Sequence, residues 1–330
     1  MKIDIFPHIL PMKYKDKLLG IDFPEKKSIE YTPMLYDLEL RFRVMDKYDG
    51  LMQVLTLSSP PVEIIAEPAK AADLAKFAND ELAELVTKYP DRFAGAAACL
   101  PMNDIDAALK ETDRAISELR FKGVQIYTPI NDKPLDSPEF MPLYEKMAHY
   151  NLPIWIHPTR GTGYADYKTL KESNYRIHAI FGWPYETTAA MTHLVFSGIF
   201  DRLPNLKFIT HHAGAMVPYF EDRIKRFYDK AETTLGHKYM LRLTKPPIEY
   251  FRMFYNDTAL YGDTPALMCA YTFFGADHLL FGTDMPLGDG QLGFTNPRWT
   301  IEAIERMDIP DSDKSKIFED NARQLMRLPV

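Results

Sequence analysis

The sequence predicts an α/β protein, a (β/α)8 TIM barrel with long insertions in its βα loops. Three observations carry this expectation. Apolar, β-prone runs alternate with helix-prone stretches about eight times along the chain, which is the pattern of a parallel sheet. Four runs end in His or Asp: Lys2-Ile-Asp-Ile-Phe-Pro-His8, Leu152-Pro-Ile-Trp-Ile-His-Pro158, Lys207-Phe-Ile-Thr-His-His212 and Leu279-Leu-Phe-Gly-Thr-Asp284. The C-terminal ends of parallel strands are where such a barrel gathers its chemistry. No linker composition interrupts the 330 residues, so 1–330 reads as one domain. A dinucleotide-binding reading fails because no Gly-x-Gly-x-x-Gly follows the first strand.

In order, strand one is expected over 2–6. A polar excursion over 12–36 follows, too long for an ordinary βα connection. A helix is expected from Leu38 to Tyr48, ended by Gly50, then strand two over 51–57 and an amphipathic helix over 67–89. Strand three runs from Phe93 to Leu100. The next helix runs from Asp104 to Leu119, with Asp104 or Asp106 at its cap. Strand four covers Gly123 to Tyr127, a helix covers 137–149, and strand five is the buried run ending at His157, stopped by Pro158. A second long loop covers 159–185. Helix 186–201, strand six over 207–211, a helix from Ala213 to Lys230 and an irregular insertion over 231–250 come next. Strand seven over 251–257, a helix from Pro265 to Phe274, strand eight over 279–283 and helices over 295–307 and 312–327 complete the chain.

Hydrophobic residues make up 46% and charged residues 26% of the chain, an ordinary globular balance. The net charge of −7 excludes a basic footprint for nucleic acid. Two cysteines, Cys99 and Cys269, make neither a disulfide framework nor a zinc-thiolate site. No apolar stretch approaches the roughly 20 residues that span a membrane, and the N-terminus lacks a signal-peptide pattern. The expected location is the cytoplasm. Nineteen Tyr and twenty Phe fit either a large core or an aromatic-lined pocket.

His8, His157 and Asp284 are the candidate metal ligands. A carboxylate at the end of an apolar strand is costly to bury unless it pairs or binds an ion, and His, His and Asp together suit Zn²⁺ or Mn²⁺. His211 and His212 are neighbours, and neighbours on a strand face opposite ways, so one enters the barrel mouth and the other is structural. Asp257 reads either as a residue supporting the site from behind or, more simply, as a polar residue opening a loop. His149, His193, His237 and His278 read as structural or solvated. The loop after strand five holds Arg160, His178 and Trp183, candidates to touch substrate.

With these residues in hand, the chain resembles the amidohydrolase superfamily. It is most similar to the branch of aminocarboxymuconate semialdehyde decarboxylase and the γ-resorcylate-type decarboxylases. The likeness runs nearly end to end. It includes Met1-Lys-Ile-Asp-Ile, Arg41-Phe-Arg-Val-Met-Asp46, Ile156-His157-Pro158, Phe196-Ser-Gly-Ile-Phe-Asp-Arg-Leu-Pro204, His212-Ala-Gly, Phe281-Gly-Thr-Asp284-Met-Pro286 and Asn321-Ala322-Arg323. The resemblance implies His8, His157 and Asp284 as ligands of a Zn²⁺ or Mn²⁺ ion. It implies His212, the strand-six histidine followed by x-Gly, as a proton shuttle. Arg223 lies, by spacing, where a relative's carboxylate-binding arginine lies. The family opens with His-x-His or Glu-x-His, and here the first of these positions is Phe6, which cannot bind a metal. Three protein ligands still suffice for a catalytic ion.

The expected function is a metal-dependent, non-oxidative decarboxylase of an aromatic or unsaturated cyclic carboxylate, with His212 and Asp284 handling the proton and Arg160 or Arg223 holding the carboxylate. A metal-dependent hydrolase of a lactone, amide or ester would use the same residues. A metal-free ligand-binding barrel, with Phe6 filling the vacated ligand position, is the non-enzymatic alternative. The expected partner is a small-molecule carboxylate, with no nucleic acid or membrane. The resemblance implies a homo-oligomer, a dimer or tetramer.

Overall fold

A computed structural model describes residues 1–24, 26–234, 243–287 and 295–329. Every strand pairing is parallel, as the sequence pattern requires. The strands are β1 (Lys2–Asp4), β2 (His8–Ile9), β3 (Leu51–Leu57), β4 (Phe93–Ala96), β5 (Ala98–Cys99), β6 (Val124–Thr128), β7 (Ile154–Pro158), β8 (Phe208–Thr210) and β9 (Tyr255–Asn256).

Backbone hydrogen bonds close these strands into a ring. β1 and β2 both lie along β3, with Lys2 opposite Leu51 and His8 opposite Thr56. The first stave therefore carries one residue more than its partner across that span, and the extra residue bulges at Phe6-Pro7. β4 and β5 are one stave bent at Ala97. The Ala97 amide donates to Leu55 at 2.9 Å, while the Ala98 amide donates to Gly123 on the other side at 2.9 Å. β5 through β9 then follow in order. The segment 279–285 closes the ring. Leu280 donates to Asn256 at 2.8 Å, and on the far side Ile5 donates to Phe281 at 2.9 Å and His8 to Met285 at 2.7 Å.

The barrel interior is a small apolar cluster that includes Ile3, Ile5, Phe6, Val54, Ala97, Trp155, Ile209 and Leu280. The Trp155 indole donates across the barrel to the Ile5 carbonyl at 2.9 Å, so the largest interior side chain leaves no unpaired donor. A second, larger cluster fills the layer between staves and helices, with Cys99 buried in it. Asp104 caps the helix Ile105–Ser117 by accepting from the Ala107 amide at 3.0 Å. No helix among the described residues is long and apolar enough to cross a membrane.

Several boundaries differ from the sequence expectation. The excursion over 12–36 contains helices Met12–Leu18 and Lys26–Glu30 and a 3-10 turn at Pro33–Leu35. The helix expected from Ala213 begins only at Glu221, because positive φ values at His212, Ala213, Gly214 and Ala215 interrupt right-handed winding. Strand seven is confined to Tyr255–Asn256, and Pro247–Phe251 is helical with a proline near its start. The helix expected at 186 starts at Trp183, preceded by a π-turn over His178–Gly182. Within the expected insertion over 231–250, residues 235–242 lie outside the described residues, and His237 with them.

Candidate active site

The chemistry gathers where the staves end. His8 opens β2, and its position is set from behind by a buried guanidinium. Arg41 donates to the His8 carbonyl, to Met34 O at 3.2 Å and to Gln53 Oε1 at 2.7 Å. Gln53 donates to Asp4 at 3.2 Å. Asp4 also accepts from the Thr283 amide at 3.0 Å, the Thr283 hydroxyl at 2.6 Å and the Phe6 amide at 3.3 Å. This buried network ties the first stave to the last, so His8 and Asp284 are held relative to one another. Burial raises the Asp4 carboxyl to about 6 despite these donors.

His157 lies near the end of β7 with Nδ1 2.8 Å from the Pro158 carbonyl. Nδ1 donating there leaves Nε2 as the free lone pair. Asp284 follows Thr283 in a left-handed conformation, φ 59°. Its Oδ1 lies 2.9 Å from His8 Nε2 and 3.4 Å from His211 Nε2, and its Oδ2 accepts from Tyr261 at 2.6 Å.

His211 and His212 both reach the site. The expectation that only one could enter used strand alternation, but β8 ends at Thr210 and the backbone is left-handed at His212, so alternation no longer applies. His211 Nδ1 pairs with Asp257 Oδ2. Asp257 is fully buried, and its other oxygen accepts from the amides of Ala213 at 3.2 Å and Ala259 at 3.0 Å. Asp257 is thus a supporting partner of the site, the first of its two sequence readings. One donor atom from each of His8, His157 and His211 fall within 4.8 Å of one another, and so do those of His211, His212 and Asp284.

Charge follows from this packing. Burial, then the neighbouring His8 and His211, push His157 well below the ordinary imidazole range. Burial and His211 lower His212 to about 3. Burial also opposes charge on His211, but Asp257 and Asp284 outweigh it and raise that imidazole to about 10. Asp284 is held well below the usual carboxylate range: burial acts against this, and the contacts with His211 and His8 prevail.

The donor set fits a divalent ion. Both ring nitrogens of His8 are buried without a hydrogen-bond partner. Its Nε2 lies close to Asp284 without hydrogen-bond alignment, as two atoms do when aimed at a common third point. A buried imidazole left unsatisfied is costly unless something else satisfies it.

A cavity of about 370 Å³ opens beside His157, lined by Pro60, Pro61, Ile64, Pro129, Tyr164 and Trp183 among others. Arg160 and Trp183 are both in its wall. Arg160 is paired with Glu186 at 2.5 Å, and its backbone carbonyl accepts from the Trp183 indole at 3.3 Å. His178 is half-buried in the π-turn, held by its amide to Ser173 Oγ at 3.0 Å, and does not line this cavity. Arg223 is exposed on the helix Glu221–Thr234, with its guanidinium 4.4 Å from the Phe227 ring. His193 pairs with Asp136 at 3.0 Å and His278 stacks on Tyr255, as structural roles require. Sequence reasoning missed His211, Tyr261 and Arg41 as site-building residues.

The chain is thus an eight-stave parallel barrel with a buried His/Asp centre, able to hold a metal ion, at its strand ends. The chain belongs to the amidohydrolase family, whose model matches residues 33–328. It is 32% identical to a γ-resorcylate decarboxylase of Polaromonas sp. over 317 residues, covering 92% of each chain. It is 28% identical to the 2-amino-3-carboxymuconate-6-semialdehyde decarboxylase of Dictyostelium discoideum, covering 99% of this chain and 92% of that one. Among solved structures it is similar to a Polaromonas dihydroxybenzoic acid decarboxylase with bound manganese and the inhibitor 2-nitroresorcinol. That likeness has a TM-score of 0.78 and 27% identity, and covers 99% of this chain and 96% of that one.

Proposed function

We propose that this chain is a metal-dependent, non-oxidative decarboxylase of an aromatic carboxylate, with His8, His157 and Asp284 holding a Mn²⁺ or Zn²⁺ ion. The observation that carries the reading is His8, whose two buried nitrogens lack hydrogen-bond partners while Nε2 faces Asp284 Oδ1. The named activities of the relatives support the same chemistry.

When bound, such an ion supplies positive charge that draws an anionic substrate and offsets negative charge as the reaction proceeds. The chain's own residues do the rest. The cavity walls of Pro60, Pro61, Pro129 and Trp183 suit a flat ring and shed water from it. The bond from ring carbon to carboxylate breaks, carbon dioxide leaves, and the electron pair stays on the ring carbon, which takes one proton. His212 is assigned to deliver it. Its lowered pKa keeps it neutral at rest, so it relays a proton taken up from solvent rather than storing one. Asp284 shares in this step through its contacts with the histidines, its outer oxygen fixed by Tyr261.

The test is carbon dioxide release from 2,6-dihydroxybenzoate by protein stripped with chelator and reloaded with Mn²⁺. Release that depends on the ion and is lost in His157→Ala and Asp284→Ala is the expected result. Metal-loaded protein that cleaves lactones or esters and releases no carbon dioxide overturns the reading.

We further propose that the chain works in the cytoplasm as a dimer or tetramer. Two free cysteines suit a reducing compartment. The rings of Tyr219, Phe220 and Phe227 are exposed on one segment, which suits a subunit contact. Light scattering on the purified chain tests the assembly.

A further inference from the structure

We propose that His211 is a protein ligand of the same ion, supplying the donor that the phenyl ring of Phe6 lacks. The proposal rests on the reading that the site binds a divalent cation. Four observations lead to it.

His211 is the one side chain, among the described residues, shared by both groups of converging donor atoms, the His8–His157 group and the His212–Asp284 group. Its orientation is fixed from outside as well. Nδ1 is paired with Asp257, and Asp257 is itself pinned by the Ala213 and Ala259 amides. With Nδ1 committed to Asp257, Nε2 is the nitrogen facing inward, 3.4 Å from Asp284 Oδ1, and a cation bound there would take the place of its proton. A carboxylate behind an imidazole is the arrangement that sets the tautomer and direction of a metal-binding histidine.

Phe6 completes the positioning. Its ring stacks on His211 at 4.1 Å between centroids and 23° between planes, and it also borders His8 and His157 at 5.8 and 5.9 Å. It is wholly buried and carries no donor atom. Its effect on His211 is to lock the rotation of the imidazole and so the direction of Nε2. The backbone around it is shaped to allow this. A Cβ on Gly282 would lie 2.7 Å from Asp257 Cβ and 3.3 Å from Phe6 Cβ, so only a glycine there lets both partners of His211 close in together. The ligand set that results is His8, His157, His211 and Asp284, with Phe6 as a positioning residue.

The test is equilibrium binding of Mn²⁺ to the full chain by titration calorimetry, with circular dichroism to verify folding. His211→Ala is expected to weaken binding on the order of 100-fold. Asp257→Asn, which removes only the orienting charge, is expected to weaken it by about 10- to 100-fold. His212→Ala should bind the ion as the native chain does. In the His211→Ala background, Phe6→Glu should restore affinity, because it returns a donor to the adjoining position. A folded His211→Ala protein with native affinity overturns the proposal. Spin-echo spectroscopy of the native chain loaded with Cu²⁺ gives an answer without any variant: three coordinated imidazoles support it and two overturn it. The proposed function fails separately, since a chain that binds Mn²⁺ and releases carbon dioxide with only two imidazoles bound loses this inference alone.

Discussion

Tyr261 donates a 2.6 Å hydrogen bond to Oδ2 of Asp284, while Oδ1 of the same carboxylate faces His8 and His211. One oxygen is committed to the protein and the other is left for the site. The charge of Asp284, then burial, raises the Tyr261 phenol well above its ordinary range, so it stays a donor throughout the neutral region. A hydrogen bond to a charged group contributes about 1.5–3 kcal/mol. Tyr261→Phe is therefore expected to lower kcat/KM about tenfold or more with little change in fold. Steady-state carbon dioxide release with a circular dichroism control checks it, and an unchanged kcat/KM would remove Tyr261 from the site.

Arg160 sits in the cavity wall but is not free. Its guanidinium is paired with Glu186 at 2.5 Å and lies 4.8 Å from the Tyr164 ring. Both partners are only partly buried, so the pair itself adds little stability. Its consequence is for selectivity, because the wall presents a compensated cation rather than a bare one. Glu186→Gln exposes that charge. It is expected to lower KM about tenfold for a benzoate bearing a second carboxylate, and much less for one bearing a single carboxylate. Competition kinetics with the two classes of substrate decide this, and equal changes for both would count against it.

Much of this was legible in sequence because it depends on periodicity and on where runs end. His8, His157 and Asp284 sit at the ends of apolar runs, and the structure brings them together. The barrel order was legible for the same reason. His211 was not, because alternation holds only while a strand lasts and β8 stops one residue before it. Asp257 and Arg41 were hidden by the rule that charged side chains face water. Both are fully buried here, each held by partners distant in sequence that no local pattern announces. Arg223 is exposed on its helix, beyond a turn of four left-handed residues that no periodicity reveals.

Glu63 gives a stability prediction with a definite sign. Burial raises its carboxyl from 4.5 to about 7. The folded value lies above the unfolded one, so the folded chain favours the protonated form. That stabilisation is fully present below about pH 4.5 and is lost as pH rises through about 7, at a cost of about 3 kcal/mol. Glu63→Gln stays neutral throughout. It should match the native chain near pH 4 and exceed it by up to about 3 kcal/mol near pH 8. Urea denaturation at the two pH values reads the difference, and parallel pH profiles would show that Glu63 does not titrate in this range.

The turn that presents His211 and His212 depends on Gly214. Its φ is 76°, a conformation that costs an L side chain energy. A Cβ there would also lie 2.5 and 2.6 Å from the Phe274 ring and 2.9 Å from Asn256 Oδ1. Neither neighbour can yield cheaply, since Phe274 is buried and Asn256 Oδ1 accepts from Thr210 at 2.5 Å. Strain and overpacking together make Gly214→Ala destabilising by about 2–4 kcal/mol. The displacement falls on the segment that carries both histidines, so ion affinity should drop along with Tm. Gly275, whose φ is also 76° but whose Cβ would meet nothing within 4 Å, separates the two causes. Gly275→Ala should carry the conformational cost alone, about 1–3 kcal/mol, and leave ion binding unchanged. Equal losses in the two variants would mean that the contacts around Gly214 do not position the histidines.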